Sequence, residues 1–122
     1  MENIKLRTQA EVNEFAGTEI KGNLTIEGSD IYDLEPLLTL TSVDGDLSIY
    51  KNPALTNLDG LSNLTFVGGA LGIEYNPSLT NLDGLSKITS VGGNLEIGYN
   101  DSLTNLDCLS NLTEDKSRGD LK

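Results

Sequence analysis

Histidine and tryptophan are absent from this 122-residue chain, and cysteine occurs once, as Cys108. A chain without histidine lacks the side chain most used as a general base and metal ligand near neutral pH. A single cysteine excludes an internal disulfide and leaves the redox compartment open. No apolar run reaches the length of a transmembrane helix, so no membrane insertion is expected. Aromatic residues make up 5% and hydrophobic residues 37%. That is lean for a globule, yet sufficient for a thin column of leucine and isoleucine. Cations are scarce as well: 8 Lys and Arg face 19 Asp and Glu, for a net charge of −11. This balance argues against nucleic acid and anionic membrane as partners, because both need a cationic surface. It suits a slender, soluble molecule with much surface, the alternative being a cation-binding role. The opening residues lack the basic start and apolar stretch of a secretory leader. They fit either a cytoplasmic protein or a chain that begins after a removed leader.

What the chain has is repetition. LTNLDGLSNLT at Leu55–Thr65 returns as LTNLDGLSKIT at Leu79–Thr89 and LTNLDCLSNLT at Leu103–Thr113, a step of 24 residues. The strand-like L-x-I motifs at Leu47, Leu71 and Leu95 keep the same step, and Leu24-Thr25-Ile26 begins a divergent copy one residue shorter. A fixed period of this size predicts a solenoid whose coils stack on one another.

Within each coil, Leu47 and Ile49 flank Ser48 and therefore share one face of a strand. Equivalent strands run the same way, which predicts a parallel ladder of Leu24, Leu47, Leu71 and Leu95. Leu55, Leu58, Leu61 and Leu64 recur every third residue, matching an extended or three-per-turn winding. Gly68-Gly69 and Gly92-Gly93 stand where the chain turns back into a strand, so positive φ is expected there. Asn52, Asn76 and Asn100 mark one corner, and an asparagine ladder satisfying corner backbone groups is expected.

The ends differ from the middle. Residues 1–17 form the expected cap, with a strand over 4–6 and a helix over 9–16. The helix is announced by the capping box Thr8-Gln9-Ala10-Glu11 and the stripe Val12, Phe15, Ala16, with Phe15 as the plug. Residues 18–113 form the repeats, and the polar 114–122 is a tail or the start of a further coil. An uncapped last coil carrying Leu103, Leu106, Leu109 and Leu112 predicts, as the alternative to a binding role, end-to-end association of copies.

No catalytic constellation is visible, so a non-enzymatic protein without a cofactor is expected. Cys108 stands where the other copies have Gly60 and Gly84, with no base or cation nearby in sequence to activate it. Asp59, Asp83 and Asp107 stack in a file that either binds a cation or holds the turn by accepting backbone hydrogen bonds. Asn-Leu-Thr at Asn23, Asn63 and Asn111 fits the glycosylation pattern but is also part of the repeat. Arg118-Gly119-Asp120 spells an adhesion tripeptide, yet Gly-Asp-Leu is also how a coil begins.

The repeated pattern L-x-I-x-x-N-P-x-L-T-N-L-D-G-L-x-x-L-T-x-V-G-G-x-L resembles the receptor L-domain family over about residues 18–113. That family is related to leucine-rich repeats and occurs in insulin- and epidermal-growth-factor-type receptors and in microbial surface proteins. The resemblance implies a mainly β, right-handed parallel β-solenoid of about four coils, a binding role, and a cell-surface or secreted location. The corner phrase is nearly constant between coils, whereas the outward positions of the main sheet vary. Tyr50, Glu74, Tyr75, Glu96 and Tyr99 on that face are the candidate binding residues for a protein or glycan ligand. The competing explanation is that free surface varies because nothing constrains it.

Overall fold

A computed structural model describes residues 2–104. Asp107, Cys108, the Asn111 acceptor, Arg118–Asp120, residues 114–122 and the C-terminal leucines Leu106, Leu109 and Leu112 lie outside the described residues. The chain passes back and forth between two parallel sheets. One takes β1 (Ile4–Leu6), β3 (Leu24–Ile26), β5 (Leu47–Tyr50), β7 (Leu71–Glu74) and β9 (Leu95–Gly98) in that order. The other takes β2 (Glu19–Ile20), β4 (Ser42–Val43), β6 (Phe66–Val67) and β8 (Ser90–Val91). The fold is mainly β, with little helix.

Register follows the repeat. Leu24 pairs with Leu47, Leu47 with Leu71 and Leu71 with Leu95, and Ile26, Ile49, Ile73 and Ile97 run beside them. Alternation within each strand sends these side chains to one side, where they are buried, and Thr25, Ser48, Gly72 and Glu96 to the other. Ile4 and Leu6 of β1 extend the file by one strand. On the second sheet, Ile20, Val43, Val67 and Val91 close the opposite wall of the same core.

The every-third-leucine segment becomes a short 3-10 turn: Glu35–Leu37, Asp59–Leu61 and Asp83–Leu85. Three residues per turn eclipses i and i+3, so Leu55, Leu58, Leu61 and Leu64 all point inward and are fully buried. The side chain that sets the turn is not the aspartate. Asn57 Oδ1 accepts from the Asp59 N–H and Asn81 Oδ1 from the Asp83 N–H, both at 3.0 Å. The turn-holding role expected of Asp59 and Asp83 therefore belongs to the asparagine two residues earlier, as an Asx turn.

The asparagine ladder is continuous and buried. Asn76 Oδ1 accepts from both the N–H and the Nδ2 of Asn52, at 3.1 and 3.0 Å. Asn100 Oδ1 does the same for Asn76. The three Nδ2 groups also donate to the carbonyls of Ile26, Ile49 and Ile73. Gly28 N–H closes the ladder on Asn52 Oδ1 at 2.9 Å. Among the described residues no buried side-chain polar atom lacks a partner.

Positive φ falls elsewhere than at the glycine pairs. Among the described residues it occurs at Lys51, Tyr75, Tyr99 and Gly17. Gly68 and Gly92 serve close approach instead: a Cβ there would lie 2.2 Å from the carbonyl oxygen of Asp44 or Gly68.

The cap also departs from expectation. The helix, α1, spans Gln9–Asn13 and ends before Phe15 and Ala16. Thr39 Oγ1 binds the Gly17 carbonyl and Thr41 binds the Thr18 carbonyl, which draws residues 17–18 out of a helical path and into β2. Thr8 Oγ1 accepts from Glu11 N–H, but Glu11 Oε1 reaches back to Arg7 N–H rather than to Thr8. Val12 is fully buried, Phe15 packs partly against the core, and Ala16 is exposed. The polar plug is Gln9. Its Oε1 accepts from the N–H groups of Tyr32 and Asp33, and its Nε2 donates to Asn13 and the Asp33 carbonyl.

Candidate functional site

The outward face of the five-stranded sheet has a hollow at its centre. Ser48, Gly72 and Glu96 are register partners, and Thr25 precedes them one strand back. A Cβ added at Gly72 would meet nothing within 4 Å. Around it lies an open depression of about 470 Å³ lined by Thr25, Asp46, Ser48, Tyr50, Gly72, Glu74 and Glu96. Tyr50 and Glu74 are themselves register partners at the strand ends.

At the next residue the backbone changes hand. Strict alternation would send the residue after Glu74 inward beside Ile73. Tyr75 instead has φ 61° and Tyr99 φ 59°, and both rings stand out from the body, 42% and 45% exposed. A left-handed conformation costs a non-glycine residue roughly 1–2 kcal/mol. Strain of this kind concentrates at binding and catalytic sites. Lys51 adopts the same conformation one repeat earlier (φ 57°), and its Nζ lies 5.0 Å from the Tyr50 ring centroid.

The kink builds an aromatic row. Tyr75 and Tyr99 stack with rings 4.7 Å apart and 4° from parallel, and Tyr50 meets Tyr75 edge-on at 5.7 Å. Such arrangements suit the ring quadrupoles and add about 0.5–1.5 kcal/mol each beyond burial. Beyond the row lies a second hollow of about 490 Å³, formed by Lys51, Pro53, Tyr75, Pro77, Tyr99 and Asp101.

The five sequence-predicted residues thus divide between two surfaces. Tyr50, Glu74 and Glu96 line the sheet depression, whereas Tyr75 and Tyr99 line the neighbouring slot. The Tyr50–Tyr75 contact joins them. Sequence reasoning missed the small-residue floor and the prolines. The signals were present: Gly72 breaks the file of Thr25, Ser48 and Glu96, and Asn-Pro recurs at Asn52-Pro53 and Asn76-Pro77.

The charged side chains that line the depression are all carboxylates. Asp46 Oδ1 accepts from the Ala70 N–H at 2.8 Å, and Glu74 and Glu96 stand at the rim. Among the described residues the ion pairs are Lys5, the register partner of Thr25 on the same sheet, with Glu27, and Lys21 with Glu19 and Asp44. The hydrogen bond that Lys21 Nζ donates to Glu19, then the charges of Glu19 and Asp44, raise the Lys21 pKa above the usual lysine value. That fully exposed cluster adds little to stability. Carboxylates around a small-residue floor accept hydrogen bonds from hydroxyl, amide or ammonium groups, and the tyrosines offer flat apolar contact. Among the described residues no group of three or more Cys, Asp or Glu could hold a metal ion, and no helix is long and apolar enough to cross a membrane.

Comparison with known proteins gives one family: the model described as Receptor L domain matches residues 17–80, just over half of the chain. No curated protein and no solved structure matches it.

Proposed function

Because the chain belongs to the receptor L-domain family, whose members are non-enzymatic ligand-binding modules, we propose that it recognises a protein or glycan through the outward face of its five-stranded sheet, carried on a right-handed β-solenoid of about four coils. The observation that carries this reading is the open volume over Gly72, walled by Tyr50 and rimmed by Asp46, Glu74 and Glu96. A surface without a ligand would gain burial by filling such a gap. Here the sheet keeps its smallest residue between an aromatic wall and three carboxylates, a pattern of convergent polar groups around a concavity.

The test begins with a glycan array and a panel of secreted and surface proteins. For a ligand found in this way, Tyr50→Ala combined with Tyr75→Ala is expected to weaken binding at least tenfold, about 1.4 kcal/mol, because buried tyrosines are frequent interface hot spots. Unchanged affinity in a folded double variant removes this face from consideration. The two substitutions lie on the surface row, so circular dichroism should report an unaltered fold.

A further inference from the structure

We propose that the depression on the five-stranded sheet seats an arginine side chain presented by a protein partner. This rests on the function proposed above and narrows it: of a protein or a glycan, the occupant is a protein that brings a planar cation.

The first observation is where the carboxylates stand. Register places Gly72 between Ser48 on β5 and Glu96 on β9, with Glu74 two residues further along its own strand. Asp46 lies two residues before Ser48, diagonal to Gly72 on the same face. Acid groups therefore stand on three sides of the bare Gly72 backbone, and all three line the hollow. The Ala70 N–H holds Asp46 there by donating to its Oδ1 at 2.8 Å.

The second is what is left uncompensated. No lysine or arginine lines the hollow. Lys5, the register partner of Thr25, has its Nζ 3.9 Å from Glu27, and Lys51 lies over the Tyr50 ring and lines the neighbouring slot. Ionised carboxylates accept hydrogen bonds and donate none. An occupant rich in donors and positive in charge satisfies them and relieves their mutual repulsion. A neutral sugar leaves that repulsion in place, and an acidic sugar adds to it.

The third is the shape of the cation. Among the described residues no group of three or more acids could hold a metal ion. Acceptors spread in this way suit an ion whose donors point apart. The guanidinium fork carries several N–H groups in one plane, whereas an ammonium is a compact point charge. Above Gly72 an added Cβ meets nothing within 4 Å, which leaves room for the aliphatic stem of an arginine. The Tyr50 ring in the lining offers the guanidinium a flat aromatic surface.

The hollow is open to water, and an exposed ion pair contributes little. A protein seated over the sheet excludes that water and strengthens each pairing, which a free small cation cannot do. The net charge of −11 also speeds the approach of a basic surface.

The probe is a ten-residue peptide of serine and threonine with one central arginine, titrated into the isotope-labelled full chain and followed by amide shift changes. Saturable changes centred on Ser48, Gly72 and Glu96 are expected in the millimolar range, diminishing with added salt. The same peptide with citrulline keeps the shape, loses the charge and should not saturate, and a lysine peptide should bind at least threefold more weakly. N-acetylarginine amide alone should not saturate over that range. Glu74→Gln combined with Glu96→Gln should abolish saturation by the arginine peptide. Glu19→Gln combined with Asp44→Asn removes the same charge beside the other sheet and should leave binding unchanged. The inference is overturned if citrulline or lysine binds as well as arginine, if the Glu74, Glu96 variant still saturates, or if N-acetylarginine amide matches the peptide. A glycan lost in the Tyr50→Ala, Tyr75→Ala variant but kept in the Glu74→Gln, Glu96→Gln variant leaves the sheet face as the contact surface and overturns this inference alone.

Discussion

Asn76→Ala is expected to lower folding stability by about 3–5 kcal/mol, a large fraction of the total for a domain of this size. The side chain is wholly buried and serves both neighbours in the ladder. Truncation leaves the Asn52 N–H and one Asn52 Nδ2 hydrogen without the oxygen at 3.1 and 3.0 Å that now accepts them. It also removes a donor to the Ile49 carbonyl at 3.1 Å and one to Asn100 Oδ1. Each buried group left unpaired costs about 1–3 kcal/mol. Partial rescue by entering water keeps the sum below the simple total. Asn76→Asp is informative beside it: the carboxylate keeps the acceptor but loses both donors and places a charge in the core. Chemical denaturation of the variants measures the effect, and a loss under 1 kcal/mol for Asn76→Ala would mean that the ladder does not hold the stack together.

Gly84→Ala, the gain of a single methyl group, is expected to destabilise the fold by about 3 kcal/mol or more, at the upper end of overpacking costs. Its Cβ would stand 1.8 Å from the Leu58 carbonyl oxygen and 2.3 Å from the carbonyl carbon. Both are backbone atoms of the preceding 3-10 turn, so no rotamer change can clear the space. The turns would have to separate, and with them the registered strands on either side. Gly60 meets the Leu34 carbonyl in the same way, at 1.8 Å. The first turn carries Pro36 at the equivalent position, but it packs against α1 instead of against an earlier turn. Gly72→Ala is the matched control. Nothing lies within 4 Å of the added carbon, the residue is in a strand, and alanine reduces the freedom of the unfolded chain. Gly72→Ala should be neutral or slightly stabilising in thermal melts, whereas Gly84→Ala should melt well below the parent. Equal melting of the two would contradict the stacked-turn geometry.

The leucine and isoleucine files were legible because a fixed repeat length carries one residue type to one place in every repeat. Burial then needs no further information than alternation within Leu47–Ile49 and a step of three from Leu55 to Leu64. The asparagine ladder was legible for a related reason: a polar residue repeated at an inward corner must find partners, and its own copies are the nearest.

What could not be read has local causes. A glycine can stand for positive φ or for close approach, and the letters of Gly68-Gly69 do not distinguish them. The residues that do take positive φ, Lys51, Tyr75 and Tyr99, are ones that seldom adopt it. That kink shapes the candidate surface. It carries Tyr75 and Tyr99 beyond the plane of the sheet and so separates them from Glu74 and Glu96. The turn-setting asparagines Asn57 and Asn81 lie beside conspicuous aspartates, which drew attention to the wrong side chain. Gln9 caps backbone groups more than twenty residues away in sequence, a contact that no local pattern announces.

The sheet depression and the tyrosine row depend on equivalent residues lying directly beside one another in successive repeats. Nuclear Overhauser spectroscopy on methyl- and ring-labelled protein tests this directly. Stacked repeats require methyl contacts from Leu47 to Leu71 and from Leu71 to Leu95, none from Leu47 to Leu95, and ring contacts between Tyr75 and Tyr99. Absence of the Leu47–Leu71 and Tyr75–Tyr99 cross-peaks in folded protein would contradict it.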